Sequence, residues 1–135
     1  MGIEEIKHTA DIGLRVTGNS IEEIFSEAAK GVVNVAIEGK VEGEEEIHSF
    51  EFNGDTKEDL LVEWLNEVIY FLYEKGLVFK NLKKIIFEDK NVMIEAEFLK
   101  PENINYSIEV KSATYHNLKI EEKGNGFEAT VIFDT

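Results

Sequence analysis

Two stretches of this chain repeat apolar residues at helical spacing, and most of the remainder alternates. Ile21, Ile24, Phe25, Ala28, Ala29, Val32 and Val33 recur on one face of a 3.6-residue period. Ser20 precedes them, with Glu23 three residues on. The serine oxygen can accept the Glu23 amide proton while the carboxylate reaches back, so a helix starts there. Gly39 marks its exit. The second stripe is Leu60, Leu61, Trp64, Leu65, Val68, Ile69 and Leu72, capped by Thr56 or Asp55 and ended by Gly76.

Elsewhere the period is two. Residues 3–7, 12–17 and 47–52 read as strands. Residues 84–88 and 92–98 read as a hairpin through Asp89, Lys90 and Asn91. Ile104, Tyr106, Ile108 and Val110 alternate, as do Leu118 and Ile120. Phe127, Ala129, Val131 and Phe133 form a last strand after the Gly124-Asn-Gly126 turn. Pro101 marks a loop. One-sided helices beside alternating strands predict an α+β fold, with two helices packed on one face of a mostly antiparallel sheet.

Composition narrows the function. A length of 135 residues with 43% hydrophobic content predicts a single domain over residues 1–135. The net charge of -14 repels phosphate backbones, so strong direct nucleic-acid binding is not expected. A basic protein or a cation is the natural partner. Without cysteine there is neither a disulfide framework nor a thiolate metal site. No apolar run reaches membrane-spanning length and the N-terminus lacks a secretory pattern, so the expected location is cytoplasmic, with no membrane partner.

Three polar signals interrupt the patterning. His8-Thr-Ala-Asp11 lies between two extended segments, where a carboxylate beside a histidine can bind a hard divalent cation or orient a proton acceptor. The alternative is an Asx-turn, in which Asp11 bonds its own backbone. Asp134 and Thr135 close the chain. Adjacent carboxylates with a backbone carbonyl suit calcium, magnesium or manganese, against the alternative of a frayed terminus. Between them, Lys111, Thr114, Tyr115 and His116 crowd into residues 109–116. There Lys111 can hold an anion and His116 can exchange a proton near neutral pH, against a β-bulge with a satisfied histidine. His48, in period with Phe50 and Phe52, reads as structural. No Walker loop, Gly-x-Gly-x-x-Gly run, nucleophile elbow or zinc spacing is present, so a conventional enzyme is not indicated.

Three motifs in order carry a resemblance: His-Thr-Ala-Asp-Ile-Gly at residues 8–13, Leu-Leu-x-x-Trp-Leu-x-Glu at 60–67, and Glu-Val-Lys-x-Ala-Thr-Tyr-His at 109–116, followed by a strand ending in Asp134. Together they resemble the archease family over nearly the whole chain. The resemblance implies a strand-helix-strand-strand module with an insertion. It implies an accessory protein, not an enzyme, that activates the RtcB-type RNA ligase of tRNA splicing by promoting GTP-dependent guanylylation and multiple turnover; GTP is used by the ligase. It also implies a divalent cation held by Asp11, Asp134 and Thr135. The expectation beside it is an accessory polar cluster of His8, Lys111, Thr114, Tyr115 and His116, with the individual roles of its members left open. Thr135 and Phe127 depart from the family's usual aliphatic residue and tryptophan. The rival readings are a small hydrolase using His8, Asp11 and His116, and a metal-independent binding module or chaperone-like modulator of a nucleic-acid-processing protein.

Overall fold

The computed structural model describes residues 1–7 and 11–135. Element order is β1 (Gly2–Lys7), β2 (Asp11–Gly18), α1 (Ile21–Ala36), β3 (Glu44–Asn53), α2 (Lys57–Lys75), β4 (Val78–Glu88), β5 (Asn91–Lys100), β6 (Ser112–Ala113), β7 (Ile120–Lys123) and β8 (Gly126–Asp134). The helices begin where side-chain caps are available: the Glu23 amide donates to Ser20 Oγ and the Asp59 amide to Thr56 Oγ1. Gly76, at φ 64, ends α2 in the left-handed region.

The fold is α+β, and the described strand pairings are antiparallel. The strands divide between two sheets. One, in the order β1-β2-β8-β6 with β7 also on β8, is built from the two ends of the chain. The other, β3-β5-β4, is built from its middle. Helix α1 packs on β2, β1 and β8 of the first sheet and on β4 of the second, while α2 packs on β6, β3 and β4. The helices thus serve both sheets rather than one face of one sheet, and this explains why α2 buries Val62 and Phe71 beyond its predicted stripe. The Trp64 indole N–H donates to the Phe25 carbonyl of α1 at 3.1 Å, tying the helices together in the fully buried centre. His48 packs edge-on against Phe71 and Phe98 and reaches Glu46, a structural role as its period implied.

One expected strand is absent. Residues 104–110 alternate in sequence but carry only an isolated bridge, Ile37 to Tyr106, and β6 is limited to Ser112 and Ala113. The backbone there is held from two sides: the Glu38 amide donates to the Asn105 carbonyl and the Ser107 amide to the Ala36 carbonyl, each at 2.8 Å, and the Val110 amide donates to Tyr73 Oη of α2 at 2.9 Å. No described helix is long and apolar enough to cross a membrane.

Candidate functional site

The register of β8 decides which polar residues meet. Asp134 lies opposite Asp11 of β2 on one side and opposite Ser112 of β6 on the other. Directly opposed residues on antiparallel strands share a face, with Cβ atoms roughly 4.5–5.5 Å apart. Ser112 Oγ donates to Asp134 Oδ2 at 3.2 Å, and the Lys111 amide donates to the Asp134 carbonyl at 2.8 Å. The penultimate residue is therefore paired on both sides, not frayed.

The face carrying Asp11 and Asp134 lies away from the helices, because Ile12, Leu14 and Val16 and their partners Phe133, Val131 and Ala129 point into the core. Gly13 permits the close approach of three strands here. A Cβ on it would lie 3.1 Å from Ile132 Cδ1 and 3.2 Å from the Ile6 carbonyl oxygen.

Like charges placed directly opposite each other on a ladder are destabilising. Among the described residues no lysine or arginine forms an ion pair with Asp11 or Asp134. The donors are carboxylate, hydroxyl and backbone oxygens, a set that fits a hard divalent cation and relief of this repulsion. Among the described residues no group of three or more His, Cys, Asp or Glu side chains is arranged to hold a metal. An ion here would therefore rest on two carboxylates and other oxygens. Thr135 follows Asp134 at the exposed end of β8.

The accessory cluster is not one constellation. Thr114 is a clasp: its amide and its hydroxyl both donate to the Ile132 carbonyl, each at 2.9 Å. Tyr115 to Leu118 form a turn, closed by the Leu118 amide on the Tyr115 carbonyl, with Asn117 at φ 51. His116 stands exposed in that turn, its ring beside the Asn117 amide. Tyr115 lines an open groove with Asp55, Asp59 and Glu63, and its phenol is pushed up from its ordinary value by burial and then by the Glu63 and Asp59 carboxylates. Lys111 lines a second groove with Asn66, Tyr70, Tyr73 and Glu74. His8 lies outside the described residues.

The residues that place the site were not conspicuous in the sequence. Asn66 accepts the Ala113 amide at 2.7 Å and faces the Ala113 carbonyl at 3.5 Å. Glu58 accepts the Ile120 amide at 2.8 Å. With Tyr73 they make α2 a support for the whole connection from 106 to 120. The only available signal was their placement on polar positions of α2, which usually means a solvated face.

Comparison with known proteins agrees with this architecture. The model of the archease protein family matches residues 3–135. A protein archease of Methanosarcina acetivorans is 35% identical, covering 97% of this chain and 94% of its own. That of Methanopyrus kandleri is 36% identical, covering 97% of each. The solution structure of protein 1598 of Methanobacterium thermoautotrophicum superposes with a TM-score of 0.79 at 27% identity, covering 99% of both chains. The crystal structure of an archease, possible chaperone, from Thermotoga maritima gives 0.70 at 30% identity, covering 98% of this chain and 96% of its own. With the family model matching residues 3–135 and relatives of 35–36% identity covering 97% of it, the chain belongs to the archease family.

Proposed function

We propose that this protein is an accessory activator of an RtcB-type RNA ligase, promoting guanylylation of the ligase by GTP and its repeated turnover in tRNA splicing. The observation that carries the reading is the register pair Asp11–Asp134. Two carboxylates from opposite ends of the chain are set side by side on an outward face, with the Ser112 hydroxyl already turned to one of them. Asp11, Asp134 and an oxygen of Thr135 would hold calcium, magnesium or manganese there, and such an ion, when bound, neutralises charge developing on a phosphate.

The chain's own residues orient that site. Asn66 fixes Ala113, Thr114 fixes Ile132, and Ser112 fixes the Asp134 carboxylate between them. The covalent chemistry belongs to the ligase, in accord with the lack of a nucleophile motif in this sequence. The acidic surface suits a basic rim on a partner that handles nucleic acid.

The test is guanylylation of the cognate ligase with labelled GTP and a divalent metal, with and without this protein, beside Asp11→Ala and Asp134→Ala. The expected outcome is strong stimulation by the wild type and none by either folded variant. Full stimulation by either variant, or stimulation that survives chelation of this protein's cation, would replace the reading with a metal-independent binding module.

A further inference from the structure

Helix α2 leaves an arc of its surface uncovered at the sheet edge where Ser112 meets Asp134. At 100° per residue, Asp59, Glu63, Glu67, Tyr70 and Glu74 fall within one third of a turn, clear of the buried stripe. Asn66 and Tyr73 flank this arc and hold Ala113 and Val110, so the arc runs alongside β6 and hence alongside the strand that carries Asp134. Two tyrosines stand out of this surface: Tyr70 is 50% exposed and Tyr115 is 54% exposed. Each lines an open groove, of about 400 Å³ at Tyr70 and about 580 Å³ at Tyr115.

Half-exposed tyrosines beside grooves are the anchors that protein interfaces favour. The charge around them selects the occupant. Among the described residues none of the four carboxylates of the arc forms an ion pair. Phosphate backbones are repelled from such a surface. A guanidinium satisfies both features, since it binds a carboxylate with two hydrogen bonds and stacks on a tyrosine ring.

We propose that the α2 arc with Tyr70 and Tyr115 is the docking face for an arginine-bearing surface of the partner protein. Its Tyr70 groove is also lined by Ser112, whose hydroxyl donates to Asp134, so the arc meets the candidate site at the sheet edge. This assignment rests on the ligase-activator reading for the partner's identity, but not for its chemistry.

The experiment separates the two. Stimulation of guanylylation and direct binding are measured against concentration for the wild type, for Glu63→Lys/Glu67→Lys and for Tyr70→Ala, with melting curves as the check on folding. The milder Glu63→Gln/Glu67→Gln serves if charge reversal impairs folding. The arc variants are expected to bind the ligase at least about tenfold more weakly and to need correspondingly more protein for half-maximal stimulation. Asp11→Ala instead loses the plateau while still binding. Arc variants that bind and stimulate at wild-type concentrations would overturn the docking face and leave the activator reading standing. If the wild type neither binds nor stimulates the ligase, the activator reading fails. The arc is then judged by titrating an octa-arginine peptide into isotopically labelled protein. Resonance shifts confined to residues 59–74 and Tyr115 uphold an arginine-binding face, and their absence removes it.

Discussion

Asn66 meets both backbone groups of Ala113, and no main-chain partner on α2 could do so, because a helix spends its own amides and carbonyls internally. A primary amide offers a donor and an acceptor on separate atoms, so it can meet both groups at once. Asn66→Ala would leave a half-buried amide proton without its acceptor. It should cost about 1–3 kcal/mol in unfolding by denaturant and speed hydrogen exchange at Ala113. Asn66→Asp keeps the acceptor and loses the donor, so it should fall between the two. Exchange at Ala113 unchanged in Asn66→Ala would show that the β8 ladder alone holds β6. None of this was legible locally. The sequence marks a polar residue on a helix, and its partner lies 47 positions away. The residues that were conspicuous, Lys111 to His116, prove mixed in role, with Thr114 bound to the Ile132 carbonyl and accepting the His116 amide.

At the scale of elements, the helices were readable because caps and stripes are local. Ser20, Thr56 and Gly76 act where their chemistry predicts. The stretch from 104 to 110 was misread for the complementary reason. Alternation reports that one side of a segment is covered, not which groups satisfy its backbone. Here Tyr106 remains 48% exposed and Ile108 37% exposed, and the backbone is satisfied by α2 through Tyr73 and by the end of α1 through Ala36 and Glu38. The Tyr73 phenol is raised above its ordinary value of 10.0, first by burial and then by the Glu109 carboxylate and Tyr106, against the Val110 amide that lowers it. A raised value means that folding favours the neutral phenol. Its contribution is complete below the unfolded value near 10 and is lost as pH rises through the folded one. An absorbance titration of wild type against Tyr73→Phe should therefore place the Tyr73 ionisation above 10. Below that range, exchange of the Val110 amide should be faster in the variant than in wild type, because phenylalanine removes its acceptor. A Tyr73 ionisation at or below the ordinary value would mean that burial of the phenol does not govern it.

For the whole molecule, the consequence of the topology is that the two ends of the chain are neighbours. The first sheet takes β1 and β2 from the start and β6, β7 and β8 from the finish, while residues 44–100 build the second sheet between them. That is why polar signals separated by more than a hundred positions in sequence, at Asp11 and Asp134, meet across one ladder. Their meeting was not readable from spacing, since register across β2 and β8 is set by which residues must face the core. A cation bound between them would link the ends of the chain in the folded state alone, so it should stabilise in proportion to the logarithm of its concentration. Without a cation the two carboxylates repel, and neutralising one should help by a few tenths to about 1 kcal/mol. The two effects have opposite signs in one variant. Asp134→Asn should melt higher than wild type in chelator and lose most of the rise that calcium, magnesium or manganese gives the wild type. A variant that melts lower in chelator would show that Asp134 is held by its Ser112 hydrogen bond more than it is opposed by Asp11. A wild type whose melting does not move with any of the three cations would remove the ion from this site, and with it the role of charge relief in setting these carboxylates face to face.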